Sequence, residues 1–125
     1  MTHDEFNAFC GTLPATTYVM QWRGSHVWKV GGKVFAIGMP VDGGPGFTFK
    51  VSDMSYEVLR EQPGLRPAPY FATRGMKWIQ HYAEPGLSDE GLQDYLRESH
   101  RIVARGLTRK KRNELGLDVA VMLAD

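Results

Sequence analysis

The segment His26-Val27-Trp28-Lys29-Val30-Gly31-Gly32-Lys33-Val34-Phe35-Ala36-Ile37 decides the fold. Two runs rich in β-branched and aromatic residues, His26 to Val30 and Lys33 to Met39, flank a pair of glycines. A two-residue hairpin turn needs positive φ at both central positions, and glycine adopts it without steric cost. The segment therefore predicts an antiparallel hairpin in which Val30 faces Lys33, Lys29 faces Val34 and Trp28 faces Phe35. Strand side chains alternate between faces. Trp28, Val30, Phe35 and Ile37 then share one face, and Val27, Lys29, Val34 and Ala36 share the other. The bulkier face is the expected core.

On the C-terminal side, a Gly/Pro-rich loop from Asp42 to Gly46 leads to a third strand, Phe47 to Val51. Phe47, Phe49 and Val51 point to one side of it, Thr48 and Lys50 to the other. Ser52 is a helix N-cap, with Met54, Val58 and Leu59 turned inward, and Pro63-Gly64 stops that helix. Arg66 to Gly75 contains Pro67 and Pro69 and reads as irregular. Met76 to Tyr82 reads as another strand centred on Trp78. Ser88 opens a long helix whose buried stripe is Leu92, Tyr95, Leu96, Ser99, Ile102, Val103, Gly106 and Leu107. On the N-terminal side, Thr2 and Glu5 have capping-box spacing. Phe6, Phe9, Cys10 and Leu13 follow at helical spacing, and Gly11 and Pro14 mark the end of that helix. The fold class is α+β, an antiparallel β-sheet flanked by helices. Residues 1–112 form one domain. Residues 113–125 form a tail whose apolar members, Val119, Val121, Met122 and Leu123, either dock or fray.

The chain has 125 residues, enough to bury a core without staples, and ordinary globular composition at 42% hydrophobic and 23% charged. A net charge of +1 excludes an electrostatic grip by the domain as a whole, so any such grip needs local clustering. The single cysteine, Cys10, cannot form an intrachain disulfide, which suits a reducing compartment. The N-terminal segment lacks the basic and apolar regions of a signal peptide, and no apolar run reaches membrane-spanning length. The expectation is a cytoplasmic monomer with no membrane partner.

Catalytic and metal signatures are missing. His3, His26, His81 and His100 show no zinc-type spacing, and His81 with Glu84 lies at a strand end where that spacing does not converge on an ion. Cys10 lies on an apolar stripe and reads as a small hydrophobe. Ser25 and His26 are strand neighbours and point to opposite faces. Asp42-Gly43-Gly44-Pro45-Gly46 lacks phosphate-loop order and precedes a strand rather than a helix. No catalytic residue, metal or cofactor is expected, and the chain reads as a non-enzyme.

Basic surface is the positive signal. Arg97, Arg101 and Arg105 recur every fourth residue on the last long helix, and Arg109-Lys110-Lys111-Arg112 follows. Seven basic residues and one acidic residue, Glu98, lie between Arg97 and Arg112. Arg74 and Lys77 sit among Tyr70, Phe71 and Trp78, and Lys29 and Lys50 share the less bulky sheet face. Weak, salt-dependent contact with nucleic-acid phosphates is the expectation, through Lys29, Lys33, Lys50, Arg74 and Lys77, with Arg101, Arg105 and Arg109 to Arg112 as a second candidate patch that need not share their face. The alternative is a non-catalytic binding or scaffold module for a protein or small ligand. It would use the less bulky sheet face and the loop around Tyr70 and Phe71.

The order of motifs resembles the MmcQ/YjbR family. The resemblance rests on Phe9-Cys10 with Leu13-Pro14, VWKVGGKVFAI (Val27 to Ile37), FTFKVSD (Phe47 to Asp53) and Tyr56 to Gln62. The Trp78 strand and LSDEGLQDYLRESHRIVARGL (Leu87 to Leu107), with Thr108 to Lys111 behind it, complete it. It covers nearly all of positions 3 to 112. It implies a CyaY-like fold, with helices over an antiparallel sheet, and a "double-wing" DNA-binding function carried by the β-hairpins. Carried onto this sequence, the wings are the Gly31-Gly32 turn and the Asp42 to Gly46 loop. Lys29, Lys33 and Lys50 are the nearest cations. Frataxins bind iron on an acidic ridge. Here the first helix offers only Asp4 and Glu5 and the first hairpin is basic, so iron is not expected.

Overall fold

The computed structural model describes residues 1–71 and 74–117. In chain order its elements are α1 (His3–Cys10), β1 (Thr16–Gln21), β2 (Ser25–Val30), β3 (Lys33–Val41), β4 (Gly44–Lys50), α2 (Asp53–Leu59), β5 (Leu65–Pro67), β6 (Trp78–His81), α3 (Asp89–Arg105) and α4 (Arg109–Glu114). The six strands form one sheet in the order β1-β2-β3-β4-β6-β5, antiparallel throughout. This is the expected α+β architecture.

One sheet face carries the main core. Phe6 and Cys10 of α1, Tyr56 and Leu59 of α2, and Leu92, Leu96 and Val103 of α3 pack there on Trp28, Val30, Phe35, Phe47, Phe49 and Ile79. Local capping agrees with this packing. Thr2 Oγ1 accepts from the Glu5 amide at 3.1 Å, and the Glu5 carboxylate accepts from the Thr2 amide at 2.8 Å. Ser52 and Ser88 cap α2 and α3 through their hydroxyls alone, which accept from the Ser55 and Gly91 amides. Gly38 lies directly under Phe6, where an added Cβ would come within 2.9 Å of the ring, so α1 can approach β3 only because that position lacks a side chain.

The hairpin register departs from the expected one at a single point. Val30 pairs with Lys33 and Lys29 with Val34, but Trp28 pairs with Ala36 rather than Phe35. A β-bulge inserts Phe35 as an extra residue, and both Phe35 and Ala36 enter the core opposite Trp28. Beyond the bulge the alternation is inverted. Ile37 pairs with Val27 and belongs to the face away from the helices, while Ala36 faces them. A bulge leaves a backbone group outside the ladder, and the Ser99 side chain of α3 takes it up while also serving the neighbouring end of β4. Its hydroxyl donates to the Phe35 carbonyl at 2.6 Å and accepts from the Lys50 amide at 2.9 Å.

Other expectations are corrected. β3 continues to Val41 and β4 begins at Gly44, so the supposed loop from Asp42 to Gly46 is a two-residue turn of Asp42 and Gly43, both at positive φ. Met54 and Val58 are exposed, and α2 turns Tyr56 inward together with Leu59. β1 and β5 have no counterpart in the sequence reading, and β6 is shorter than the stretch from Met76 to Tyr82. His100, rather than Tyr95, is fully inside the α3 stripe. The basic run after α3 is itself helical: Thr108 caps α4, and Arg112 Nη1 donates to the carbonyls of Arg105 and Leu107. Leu117 is buried in the main core, so the chain stays docked through that position. Val119, Val121, Met122 and Leu123 lie outside the described residues.

Ser99→Ala is expected to leave the Phe35 carbonyl and the Lys50 amide without partners, at a cost of about 2–4 kcal/mol. Urea unfolding at neutral pH measures this as a lowered midpoint with unchanged slope.

Candidate nucleic-acid interface

Consecutive hairpin turns lie at opposite ends of a sheet. β3 has nine residues, so at strand rise the Gly31-Gly32 and Asp42-Gly43 turns stand about 27 Å apart. The two ends differ in charge. The Asp42 end also carries Glu84, with which Asp42 lines a depression of about 350 Å³. The Gly31 end gathers the ends of β2, β4 and α3 and the starts of β3, β6 and α4. The two wings therefore point in opposite directions, and basic residues collect at only one of them.

At that end Lys50, Lys77 and Arg105 converge on one shallow groove of about 510 Å³. Three elements place them. Lys50 ends β4 opposite Trp78, the Lys77 carbonyl accepts from the Val51 amide at 3.0 Å, and Arg105 ends α3. Asp53 and Glu98 also line the groove, and Glu98 is ion-paired with Arg101. The Lys77 ammonium rests 4.7 Å from the centre of the Tyr56 ring, which fixes its position without consuming its charge. A second depression brings Lys33 beside Lys111 where Gly31 meets Leu107. Gly31 has φ +60, and a Cβ there would lie 2.6 Å from Leu107 Cδ1, so the glycine serves both the turn and its close approach to α3.

The remaining expected cations separate from this group. Lys29 pairs in register with Thr17 and Val34, and it lines neither basic depression. Arg74 donates to the Tyr70 hydroxyl at 3.0 Å and stands over that ring. Arg101 is engaged by Glu98 at the groove margin. The hairpin and helix cations are separate patches in the sequence; α3 ending at the hairpin turn joins members of both. Lys111 joins the arrangement because α4 folds back beside the turn, which the run of four basic residues does not announce.

The histidines are placed for packing. His100 Nε2 donates to the Pro14 carbonyl at 2.8 Å, its ring meets Phe35 edge-on, and burial lowers its pKa. His26 accepts at Nδ1 from the Tyr18 hydroxyl at 2.8 Å, and burial, then neighbouring His3, lower its pKa against the pull of Asp4. His81 borders the depression at the Asp42 end, and burial lowers its pKa as well. Cys10 is fully buried, and burial pushes its thiol pKa far up. Among the described residues no three His, Cys, Asp or Glu side chains come together as a metal site, and no helix is long and apolar enough to cross a membrane.

The YjbR family model matches residues 11–102. The chain belongs to the YjbR family. The uncharacterized protein YbdF of Escherichia coli O157:H7 is 29% identical over 86 residues, which cover 67% of this chain and 68% of that one. The crystal structure of Deinococcus radiodurans protein DR2400, a DUF419 domain, superposes with a TM-score of 0.81 at 24% identity, covering 94% of this YjbR chain and 89% of its own. A Pseudomonas syringae protein matches with a TM-score of 0.66 at 18% identity, over 82% of this chain and 98% of that one. These likenesses at low identity concern the fold.

Acid should destabilise the protein through His100. Its folded pKa lies below its ordinary value near 6.5. The unfolded state therefore binds the proton first, and stability is complete above that pH and declines as pH falls through it, by at most about 1.4 kcal/mol per pH unit for one histidine. His100→Gln should flatten the acid limb of a plot of unfolding free energy against pH.

Proposed function

We propose that this YjbR protein is a non-catalytic, non-sequence-specific DNA-binding protein that holds phosphates at the Gly31-Gly32 end of its sheet. The observation that carries this reading is the convergence of Lys50, Lys77 and Arg105 on one shallow groove. Lys33 and Lys111 extend the positive surface around the turn. An open groove suits a phosphate backbone, which is read from its outer surface. The cations stand on the ends of different elements and present no array of paired donors and acceptors that would read base edges. With a net charge of +1, affinity rests on this local group and stays weak.

The family resemblance supports the partner but not a two-wing grip. The Asp42-Gly43 turn is remote from the basic end, so a single turn, with the end of α3 beside it, contacts the duplex. Lys29 contributes little from its position within the β1–β2–β3 ladder.

The test is a fluorescence-anisotropy titration of a short mixed-sequence duplex across a salt series. The triple variant Lys50→Glu, Lys77→Glu, Arg105→Glu should abolish binding. Replacing each of the three by Gln should flatten the logarithmic salt slope by about 2–3, since each phosphate contact contributes about 0.9. Lys29→Glu should change affinity less than twofold. Affinity no greater than that of a neutral control protein at low salt, or unaltered in the triple variants, would falsify the assignment.

A further inference from the structure

The sheet face opposite the helices carries a second feature, independent of the basic end. A cleft of about 540 Å³ opens between this face and the segment after β5, within the size range of small-molecule sites. Trp22 and Tyr70 form its lips. Both are largely exposed, at 57% and 64%, and both hold positive φ, +51 and +73. Aromatic residues seldom adopt that backbone region; Tyr70 is held there by Arg74, which donates to its hydroxyl, and by edge-on contact with Phe71. Phe71 forms an inner wall and is itself stacked on buried Trp78 at 4.7 Å between ring centres, so that wall is backed by the fold.

The floor is polar. Thr48 is 1% exposed, borders the cleft, and its hydroxyl has no hydrogen-bond partner among the described residues. A buried hydroxyl without a partner costs free energy that a valine of the same shape would not. Gln80 lies beside it in register. Its side-chain oxygen is taken by Arg66 Nε at 2.9 Å, which turns the amide nitrogen toward Met39, where it meets only a weak sulfur acceptor at 3.9 Å. Ser25 gives its proton to the Trp22 carbonyl and keeps lone pairs to accept with. The floor thus offers a hydroxyl, an amide donor and a hydroxyl acceptor. Among the described residues no charged side chain lines the cleft; the nearby Arg66 and Arg74 guanidiniums are engaged by Gln80 and Tyr70.

We propose that this cleft binds a small, neutral, planar aromatic molecule bearing a carboxamide or lactam group. Its ring lies between Trp22 and the Tyr70–Phe71 wall. Its carbonyl accepts from the Gln80 amide, and its N–H donates to the Thr48 hydroxyl oxygen, the two groups being register neighbours. The described lining carries no charge, and the Arg66 guanidinium behind the floor is turned onto the Gln80 side-chain oxygen, so a neutral ligand is selected over a carboxylate whose desolvation no lining cation would repay.

The test uses benzamide as probe, with benzoate and cyclohexanecarboxamide as charged and non-planar counterparts, followed by amide chemical-shift changes in the isotope-labelled full chain. Benzamide is expected to shift Ser25, Thr48 and Gln80, with both counterparts binding about tenfold more weakly or not at all. Thr48→Val should keep or raise the melting temperature while weakening benzamide about tenfold. Trp22→Gly replaces an exposed side chain at a φ that glycine prefers, so it should fold and also weaken binding. The charge variants at Lys50, Lys77 and Arg105 should leave benzamide binding unchanged. No cleft shifts with benzamide, benzoate binding as well as benzamide, or equal binding by Thr48→Val and wild type would each overturn the proposal.

Discussion

The Ser99 hydroxyl sits between two strands and belongs to neither. It donates to the Phe35 carbonyl and accepts from the Lys50 amide, bridging β3 and β4 just past the end of their ladder and beside the bulge that interrupts the β2–β3 ladder. Three things depend on that bridge. It lets Phe35 and Ala36 both enter the core opposite Trp28. It fixes the inversion of faces that sends Ile37 to the far side. It also anchors α3 across the sheet, so that the helix ends beside the Gly31-Gly32 turn. A backbone defect in the interior survives only where a side chain supplies the missing partner. Here that side chain lies 64 residues beyond Phe35, whose carbonyl it satisfies.

The features legible in the sequence were those with local causes. Thr2, Ser52 and Ser88 cap helices because a short polar side chain can reach the next turn, whatever the tertiary fold. Gly31-Gly32 marked its turn because few other pairs fit there. The bulge was not legible, since no residue type is peculiar to it and its stabilising partner comes from α3. β1 escaped because an edge strand with four consecutive exposed residues shows no alternation of apolar and polar positions. β5 is three residues long and ends in proline, so its pairing with β6 is set by tertiary contact alone. Met54 and Val58 misled because apolar side chains at helical spacing need not be buried when the helix has only seven residues.

The candidate sites divide along the same line. Lys33, Lys50, Lys77 and Arg105 were visible as cations, but their grouping depended on which strand ends meet which helix end. For the cleft, the aromatic loop around Tyr70 and Phe71 could be noticed in the sequence, whereas Thr48 and Gln80 look like ordinary strand residues. Their significance comes from being buried on a face that the helices do not cover. The two sheet faces are therefore unlike in kind: one is an apolar core, and the other mixes buried polar groups with exposed aromatic rings.

The contact between Gly31 and Leu107 extends beyond turn geometry. A turn pressed against a helix terminus acts as a ruler, because its distance from the helix is set by atoms that cannot compress. Lys33 follows the turn directly, and Lys111 stands one turn into the segment that Leu107 introduces. Their separation is thus an outcome of interior packing and owes nothing to attraction or repulsion between the charges themselves. Substitutions in the hydrophobic interior can retune the pattern of surface charge without altering a single charged residue.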